Sequence, residues 1–175
     1  MPYMRKWRWQ IAATVLHDIE PHLAWIFGVL SSIDQDLYRR DQRHKELLRM
    51  GADAKLSEWL GIGDAIALSY LWVLAAYEAI RTIDQRLAEL GPAATSRRRA
   101  SADLKHKFER LRIPLAKLEP SKRNLTTDYS FPRPGFEDNR GIAWEVAPGE
   151  SVSRSYLSDE FLSLLEAMKS GILAE

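Results

Sequence analysis

Cysteine is missing from this chain of 175 residues. Its absence excludes disulfide frameworks, thiol nucleophiles and cysteine-ligated zinc sites, and it fits a protein kept in a reducing compartment. We therefore expect a cytoplasmic protein without redox chemistry.

Long hydrophobic runs are absent too. The most apolar segment, from Ala65 to Tyr77, has about thirteen residues, whereas a membrane-spanning helix needs about 20. Near the N-terminus, the apolar run from Ile11 to Leu16 is too short for the hydrophobic region of a secretory signal. We expect the first segment to be a buried helix and the protein to make no membrane contact.

The sequence also lacks the common motifs for phosphate and acyl chemistry. The "GIG" at 61–63 has neither the lysine nor the preceding strand of a phosphate-binding loop, and no serine or threonine lies in a nucleophile elbow. His17 with Glu20, and Asp18 with His22, have the spacing of chelating pairs on a helix, but neither forms part of a paired motif. We expect no cofactor and no metal.

Helical periodicity is what the sequence does contain. Apolar residues recur at three- and four-residue steps in five segments, each of which predicts a helix with one buried face. The first stripe is Met4, Trp7, Ile11 and Val15, which we expect in the core. The third, from Ile62 to Leu90, is apolar around most of its circumference, so this helix should be surrounded by others. With 46% hydrophobic and 28% charged residues, the composition fits one globular domain over residues 1–175.

The fourth helical segment begins at Thr95 or Ser96 and carries the most distinctive pattern. Its apolar stripe runs through Pro114 without losing phase, although a proline in a helix interior costs about 3 kcal/mol. We predict a kinked helix rather than a helix end. The stripe residues are Leu104, Phe108, Leu111, Leu115 and Leu118.

The last part of the chain has a different character. Residues 120–140 contain three prolines and no periodicity, which predicts a long loop. Alternating apolar residues around Pro148-Gly149 predict a β-hairpin over 141–154. Residues 155–173 then form a C-terminal helix, with Ser155 or Ser158 at its start. The fold prediction is mainly α: an antiparallel bundle of four to five helices with one short β-hairpin near the C-terminus.

Charge is unevenly distributed along the chain, although the formal net charge is only +1. Residues 96–123 hold ten basic and three acidic residues, a net +7, whereas residues 136–175 hold three basic and eight acidic residues, a net −5. The basic segment either binds a polyanion or is neutralised by the acidic C-terminal part. The candidate nucleic-acid-binding residues are Arg97, Arg98, Arg99, Lys105, Arg112, Lys117, Lys122 and Arg123.

Two adjacent helical segments resemble a known superfamily. A long helix containing "YEAIRTID", followed by a basic helix containing "FERLRIPLAKLEP", is similar to the prokaryotic HEPN (higher eukaryotes and prokaryotes nucleotide-binding) helical bundles over residues 20–120. Many HEPN proteins are metal-independent ribonucleases of toxin and antiphage systems, usually dimers, with an arginine, four to six intervening residues and a histidine. Members without this motif are considered binding or regulatory proteins.

The resemblance implies candidate catalytic residues. Arg112 matches the family's arginine, and Lys117 occupies the histidine position, with Ile113 where a polar residue often follows the arginine. An unperturbed lysine, with a pKa of about 10.4, does not act as a base near neutrality, whereas a histidine at about 6.5 does. A straight helix also places Arg112 and Lys117 about 140° apart. Arg99 and His106, with six residues between them, give a second match to the family spacing.

Three hypotheses follow for the function. We favour a non-catalytic HEPN-like bundle, a homodimer that binds RNA or a partner protein through its basic helix 96–123. The second hypothesis is an active ribonuclease using Arg99 with His106, or Arg112 with another base. The third is a structural or interaction protein without a nucleic-acid role, whose basic helix pairs with its own acidic C-terminal part.

Overall fold

The fold is a five-helix bundle with a small antiparallel sheet near its C-terminus, as a computed structural model describes it for residues 2–50 and 56–173. The predicted fold class is confirmed. The helices are α1 (Pro2–Ala12), α2 (Pro21–Met50), α3 (Leu56–Glu89), α4 (Thr95–Lys117) and α5 (Arg154–Lys169). The strands are β1 (Arg133–Glu137), β2 (Gly141–Ala147) and β3 (Glu150–Ser153), in the order β1-β2-β3.

Helix α3 is the central element, packed against both α2 and α4. Its buried residues include Trp72, Val73, Ile80 and Ile83, which lie on one face. Leu71, on another face, is 57% exposed, so α3 is covered on one side and not all round as predicted. By length and composition alone the segment Gly61–Glu89 would reach across a bilayer, with a mean hydropathy of 1.3. A core helix of a bundle meets the same criterion, and the position of α3 between two other helices explains its apolar character.

Helix α1 packs through a different face from the one predicted. Met4, Trp7 and Ile11 remain 62%, 62% and 48% exposed. The opposite face is buried instead, because the ring of Trp9 lies 5.6 Å from Phe27 and its indole Nε1 donates to a carboxylate in the core. Both faces have helical spacing, and only the second gives the tryptophan N–H a buried partner.

Helix α4 continues through Pro114, as predicted, and ends at Lys117. Phe108 and Leu111 are fully buried in the core, together with Leu104 and Leu115. Leu118 instead adopts a left-handed conformation (φ 59°) and is 65% exposed, so the predicted stripe is one residue too long. A left-handed residue directly after the last turn is a common way for a helix to end.

The sheet has one strand more than predicted. The hairpin of β2 and β3 turns at Pro148-Gly149, where Gly149 has the positive φ that a type II turn requires. The added strand β1 pairs antiparallel with β2 inside the segment 120–140 that was predicted to be a loop. Helix α5 begins at Arg154, one residue before the predicted start, because Ser153 accepts a hydrogen bond from the Tyr156 amide at 3.1 Å and so caps the helix in place of Ser155 or Ser158.

A buried ionic cluster joins α2, the sheet and α5. The Arg154 guanidinium donates to Asp34 Oδ1 and to Asp41 Oδ2, each at 2.5 Å, and all three side chains are buried. Asp34 also accepts from Arg5 Nε at 2.6 Å and from the Ser158 hydroxyl at 2.5 Å. Charges buried this deeply are tolerated only when they are paired and hydrogen-bonded.

The second carboxylate of this cluster also fixes the sheet. Asp41 Oδ1 accepts from the Ile142 amide at 3.2 Å, and Gly141 lies so close to the Asp41 carboxylate that no larger residue fits there. Burial raises the pKa of Asp41, against the opposing effect of the neighbouring Arg154 charge. Helix α2 and strand β2 are therefore joined through a single carboxylate.

Candidate nucleic-acid interface

Helix α4 carries most of the basic segment, and the inner half of its cations is neutralised within the molecule. Arg112 Nη2 lies 3.1 Å from Glu78 Oε1 of α3, and Lys105 pairs with Asp84 on the same helix. Two further cations contact acidic residues after α4: Lys107 pairs with Glu160, and Arg110 pairs with Asp128 and Glu150. Only the contacts with Glu150 and Glu160 are of the kind that the third hypothesis expects, between the basic helix and the acidic part 136–175.

The remaining cations have no such partner. Within the ranges that the structure describes, no carboxylate lies within 4.0 Å of Arg97, Arg98, Arg99, Lys122 or Arg123. Lys117 is at the limit, 4.0 Å from Glu119. These six cations lie toward the two ends of α4 and in the short turn Lys122–Asn124 that follows it. Their charge is available to a ligand.

A chain of polar contacts, which we call the His106 cluster, connects α3, α4 and the segment after α4. It comprises His106, Glu109, Arg123, Tyr77 and Arg112. His106 Nδ1 lies 2.8 Å from Glu109 Oε2, and the other oxygen of Glu109 accepts from the Tyr77 hydroxyl at 3.4 Å. Arg112 stacks over the Tyr77 ring at 4.8 Å.

The contacts of His106 define which of its nitrogens carries the proton. Arg123 Nη2 lies 3.0 Å from Nε2, and a guanidinium only donates, so Nε2 is the acceptor. Nδ1 then carries the hydrogen and donates it to Glu109. His106 is thus a neutral imidazole, oriented by a carboxylate and covered at its basic nitrogen by an arginine.

Tyr77 remains protonated in this arrangement. Burial raises the pKa of its phenol, and the nearby Glu109 carboxylate raises it further. The phenol can therefore donate to Glu109 across the whole physiological range. Glu109 is held by two donors, which fixes the carboxylate that orients His106.

Two surface cavities border α4. The smaller, of about 280 Å³, lies beside the His106 cluster, where its lining includes Glu109, Lys117, Lys122 and Arg123. The larger, of about 630 Å³, lies at the start of α4, where Arg98 and Arg99 contribute to its wall. Unpartnered cations thus line both recesses, as a surface that binds phosphates requires.

The pairs suggested by the family spacing have separate partners in the structure. Arg112 contacts Glu78, whereas Lys117 is directed to Glu119, so the two do not share a partner. Arg99 lies at the larger cavity, and His106 contacts Glu109 and Arg123. The structure instead connects His106 to Arg112 through Glu109 and Tyr77.

Sequence reasoning missed Glu109 and Tyr77. The spacing of His106 and Glu109, three residues apart on one helix, was a usable signal for their contact. Tyr77 lies on the neighbouring helix, and no local pattern predicts that its hydroxyl reaches α4. The Glu78–Arg81 pair, also three residues apart, forms at 2.8 Å.

Comparisons with protein-family models, with curated proteins and with solved structures find no match to this chain.

Proposed function

We propose that this chain is a non-catalytic, HEPN-like bundle that binds single-stranded RNA through the surface of α4. One observation carries the proposal: among the described residues, six cations at the two ends of α4 and in the turn after it lack a close carboxylate, while the other cations of α4 are neutralised by acids of the same chain. Cations left unpaired at two surface recesses provide the phosphate contacts on which nucleic-acid affinity depends.

The arrangement of the cluster supports a phosphate site beside α4. Arg123 is held only by the neutral His106, so a phosphate in the adjacent cavity gives it a stronger, charge-assisted partner. Lys117 and Lys122 line the same cavity and add point charges. Exposed bases are reached most readily in single strands, which is why RNA of this form is the proposed ligand.

The salt dependence of binding tests this proposal. We expect the affinity for an end-labelled single-stranded RNA to fall steeply between 50 and 200 mM salt, with a slope of about −0.7 per phosphate neutralised. Replacing Arg98 and Arg99 by glutamine should make the slope shallower by an amount close to two phosphates. Absence of binding at the lowest salt concentration would favour the third hypothesis, a structural protein with intramolecular charge pairs.

A ribonuclease is the second candidate, and the orientation of His106 favours it. If Arg123 moves to a phosphate, Nε2 becomes available to take the proton of a 2′-hydroxyl. The 2′-oxygen would attack phosphorus and the bond to the 5′-oxygen would break, with the 5′-oxygen taking a proton from water, so that a 2′,3′-cyclic phosphate and a 5′-hydroxyl would form. Incubation with RNA in EDTA, beside His106→Ala and Glu109→Gln variants, distinguishes the candidates: cleavage lost in both variants would establish the enzyme.

We also propose that the protein is a homodimer, as the resemblance implies. The exposed apolar stripe of α1, with Met4, Trp7 and Ile11, supports self-association because such surface is normally covered. Light scattering should give twice the chain mass, and Trp7→Ser should shift the protein toward monomer. A monomer at high concentration would contradict the proposal.

A further inference from the structure

A second polar recess, which we call the α2–α5 cleft, lies away from the cavities of α4. It has a volume of about 300 Å³ and is formed by the second half of α2, the turn between β1 and β2, and the first turns of α5. It shares no lining residue with either cavity beside α4. Its charged lining residues are Arg5, Asp41, Lys45, Arg140 and Asp159.

Both carboxylates of the cleft are paired with other groups of the protein. Asp41 is bound by the buried Arg154 and by the Ile142 amide. Asp159 accepts from Arg5 Nη1 at 2.7 Å. These two carboxylates lower the positive potential of the cleft. Because each already has a close cationic partner, neither neutralises the other cations of the cleft. With three cations and two carboxylates, the charged lining carries a net +1.

Among the described residues, no carboxylate lies closer than 4.0 Å to the two other cations, Lys45 and Arg140. Lys45 Nζ donates to the Asn139 carbonyl at 3.1 Å, and the Arg140 guanidinium lies 5.2 Å from the centre of the Tyr156 ring. The nearest acid to Arg140 is Asp159, at the long distance of 4.0 Å. Ser155 donates to the Arg140 carbonyl at 2.5 Å and so fixes the backbone of the turn. Both cations are held at the cleft by groups that leave several N–H donors unused.

We propose that the α2–α5 cleft binds the phosphate group of a small phosphomonoester between Lys45 and Arg140. A guanidinium fork can bind two oxygens of an anion, and a second cation can neutralise a further oxygen, which a phosphate has and a carboxylate lacks. The cleft volume is at the lower end for small-molecule sites, so the ligand is small. Tyr38 and Gln42 also line the cleft, so that a phenol and an amide are available to the rest of the ligand.

Calorimetric titration with ribose 5-phosphate, ribose and inorganic phosphate tests this site. Ribose 5-phosphate and inorganic phosphate should bind, and ribose should not. Lys45→Gln and Arg140→Gln should each weaken ribose 5-phosphate binding at least tenfold. Acetate serves as the carboxylate comparison, and binding of acetate as tight as that of phosphate would overturn the assignment of a phosphate site.

A variant that should strengthen phosphate binding, rather than weaken it, provides a further test. Asp159→Asn removes the carboxylate nearest Arg140 and should therefore increase the affinity for phosphate. If the charged residues of the cleft were only structural, the affinity for phosphate should not increase. Arg133→Gln is the matched control, because Arg133 is an exposed arginine on β1 outside the cleft. Equal losses in Arg133→Gln and Arg140→Gln, or no phosphate binding by a folded wild-type protein, would overturn the proposal.

The proposed RNA surface and the proposed phosphate site can be tested separately. Lys45→Gln should leave RNA binding unchanged, and Arg123→Gln should leave phosphate binding in the cleft unchanged. Loss of RNA binding in Lys45→Gln would mean that the cleft is part of the RNA surface and not a separate small-molecule site.

Discussion

Two polar clusters of this protein combine arginine and carboxylate side chains in opposite environments. In the first, Arg154 lies between Asp34 and Asp41, and all three are buried with short contacts. In the second, His106 lies between Glu109 and Arg123, and its side chains are partly open to solvent. The first cluster connects three elements of the fold, whereas the second borders a surface cavity.

The difference separates charges that hold the structure from charges that can meet a ligand. Removing one member of a buried pair leaves the other charge uncompensated in a low-dielectric interior, so the pair cannot be opened without unfolding. An exposed pair contributes little to stability, and water or a phosphate can replace either partner. Mutations should therefore affect stability at the first cluster and binding at the second.

The largest effect is expected from Arg154→Met. The variant leaves Asp34 and Asp41 buried without their shared cation, which should lower the free energy of unfolding by about 3–5 kcal/mol. Urea denaturation measures this value. Arg112→Met is the matched control, since Arg112 is half-buried and pairs with the exposed Glu78, and its loss should cost about 1 kcal/mol or less. Equal losses in the two variants would remove the distinction between the clusters.

Gly141→Ala should have the next largest effect. A Cβ at this position would overlap the Asp41 carboxylate, and the backbone has a φ of 79°, which side chains rarely adopt. Gly149→Ala is the control, because its φ is similar, at 73°, but nothing lies within 4 Å of its Cβ. The control should lose about 1–2 kcal/mol from conformation alone, and Gly141→Ala should lose clearly more by thermal unfolding. Similar losses of stability in the two variants would show that the Asp41 side chain moves aside at little cost in free energy.

His44, one turn after Asp41, should make stability depend on pH. Burial lowers the pKa of His44 below its usual value, with Asp41 opposing the shift and Arg40 adding to it. The unfolded chain then binds a proton more readily than the folded protein, so stability is present above pH 6.5 and is lost as the pH falls below it.

His44→Leu should flatten this dependence. The difference in melting temperature between the variant and the wild-type protein should change between pH 7.5 and pH 5.5, in the direction of a relative gain for the variant at low pH. Asp41 acts in the opposite sense, since its raised pKa adds stability as the pH falls. A constant difference across this range would mean that His44 does not titrate differently in the folded protein.

The smallest effect on stability is expected from Arg123→Gln. Arg123 is exposed and contacts only a neutral imidazole, so the free energy of unfolding should change by less than about 1 kcal/mol. Urea denaturation at neutral pH provides the measurement. A loss as large as that of Arg154→Met would place the His106 cluster among the structural interactions.

The sequence was sufficient to predict the helices but not the contacts between them. Periodicity identified the core helix α3 and the continuation of α4 through Pro114, because each depends on spacing within one segment, but it overestimated how much of the circumference of α3 is buried, since Leu71 is exposed. It selected the wrong face of α1, since Met4 and Trp9 lie on competing stripes and only the tertiary partner of Trp9 decides between them. Strand β1 was missed for a similar reason: Pro134 and Gly135 are typical of loops, and pairing with β2 overrides that preference.

The candidate site shows the same limit. The basic character of α4 was evident from composition, and the positions of Arg112 and His106 were singled out by spacing. Which cations are neutralised was not predictable, because partners such as Glu160 for Lys107 lie more than fifty residues away. The buried Arg154 likewise resembled any other charge near the start of a helix.

The central claim is that the cations of α4 and of the following turn that have no close carboxylate bind RNA, and that the neutralised cations do not. Its most direct test is the affinity of Arg123→Gln and Lys107→Gln for the same end-labelled single-stranded RNA at one salt concentration. Each variant removes one positive charge. The account predicts weaker binding for Arg123→Gln and wild-type binding for Lys107→Gln, whose cation is already paired with Glu160. Equal weakening in both variants, or none in either, would contradict it.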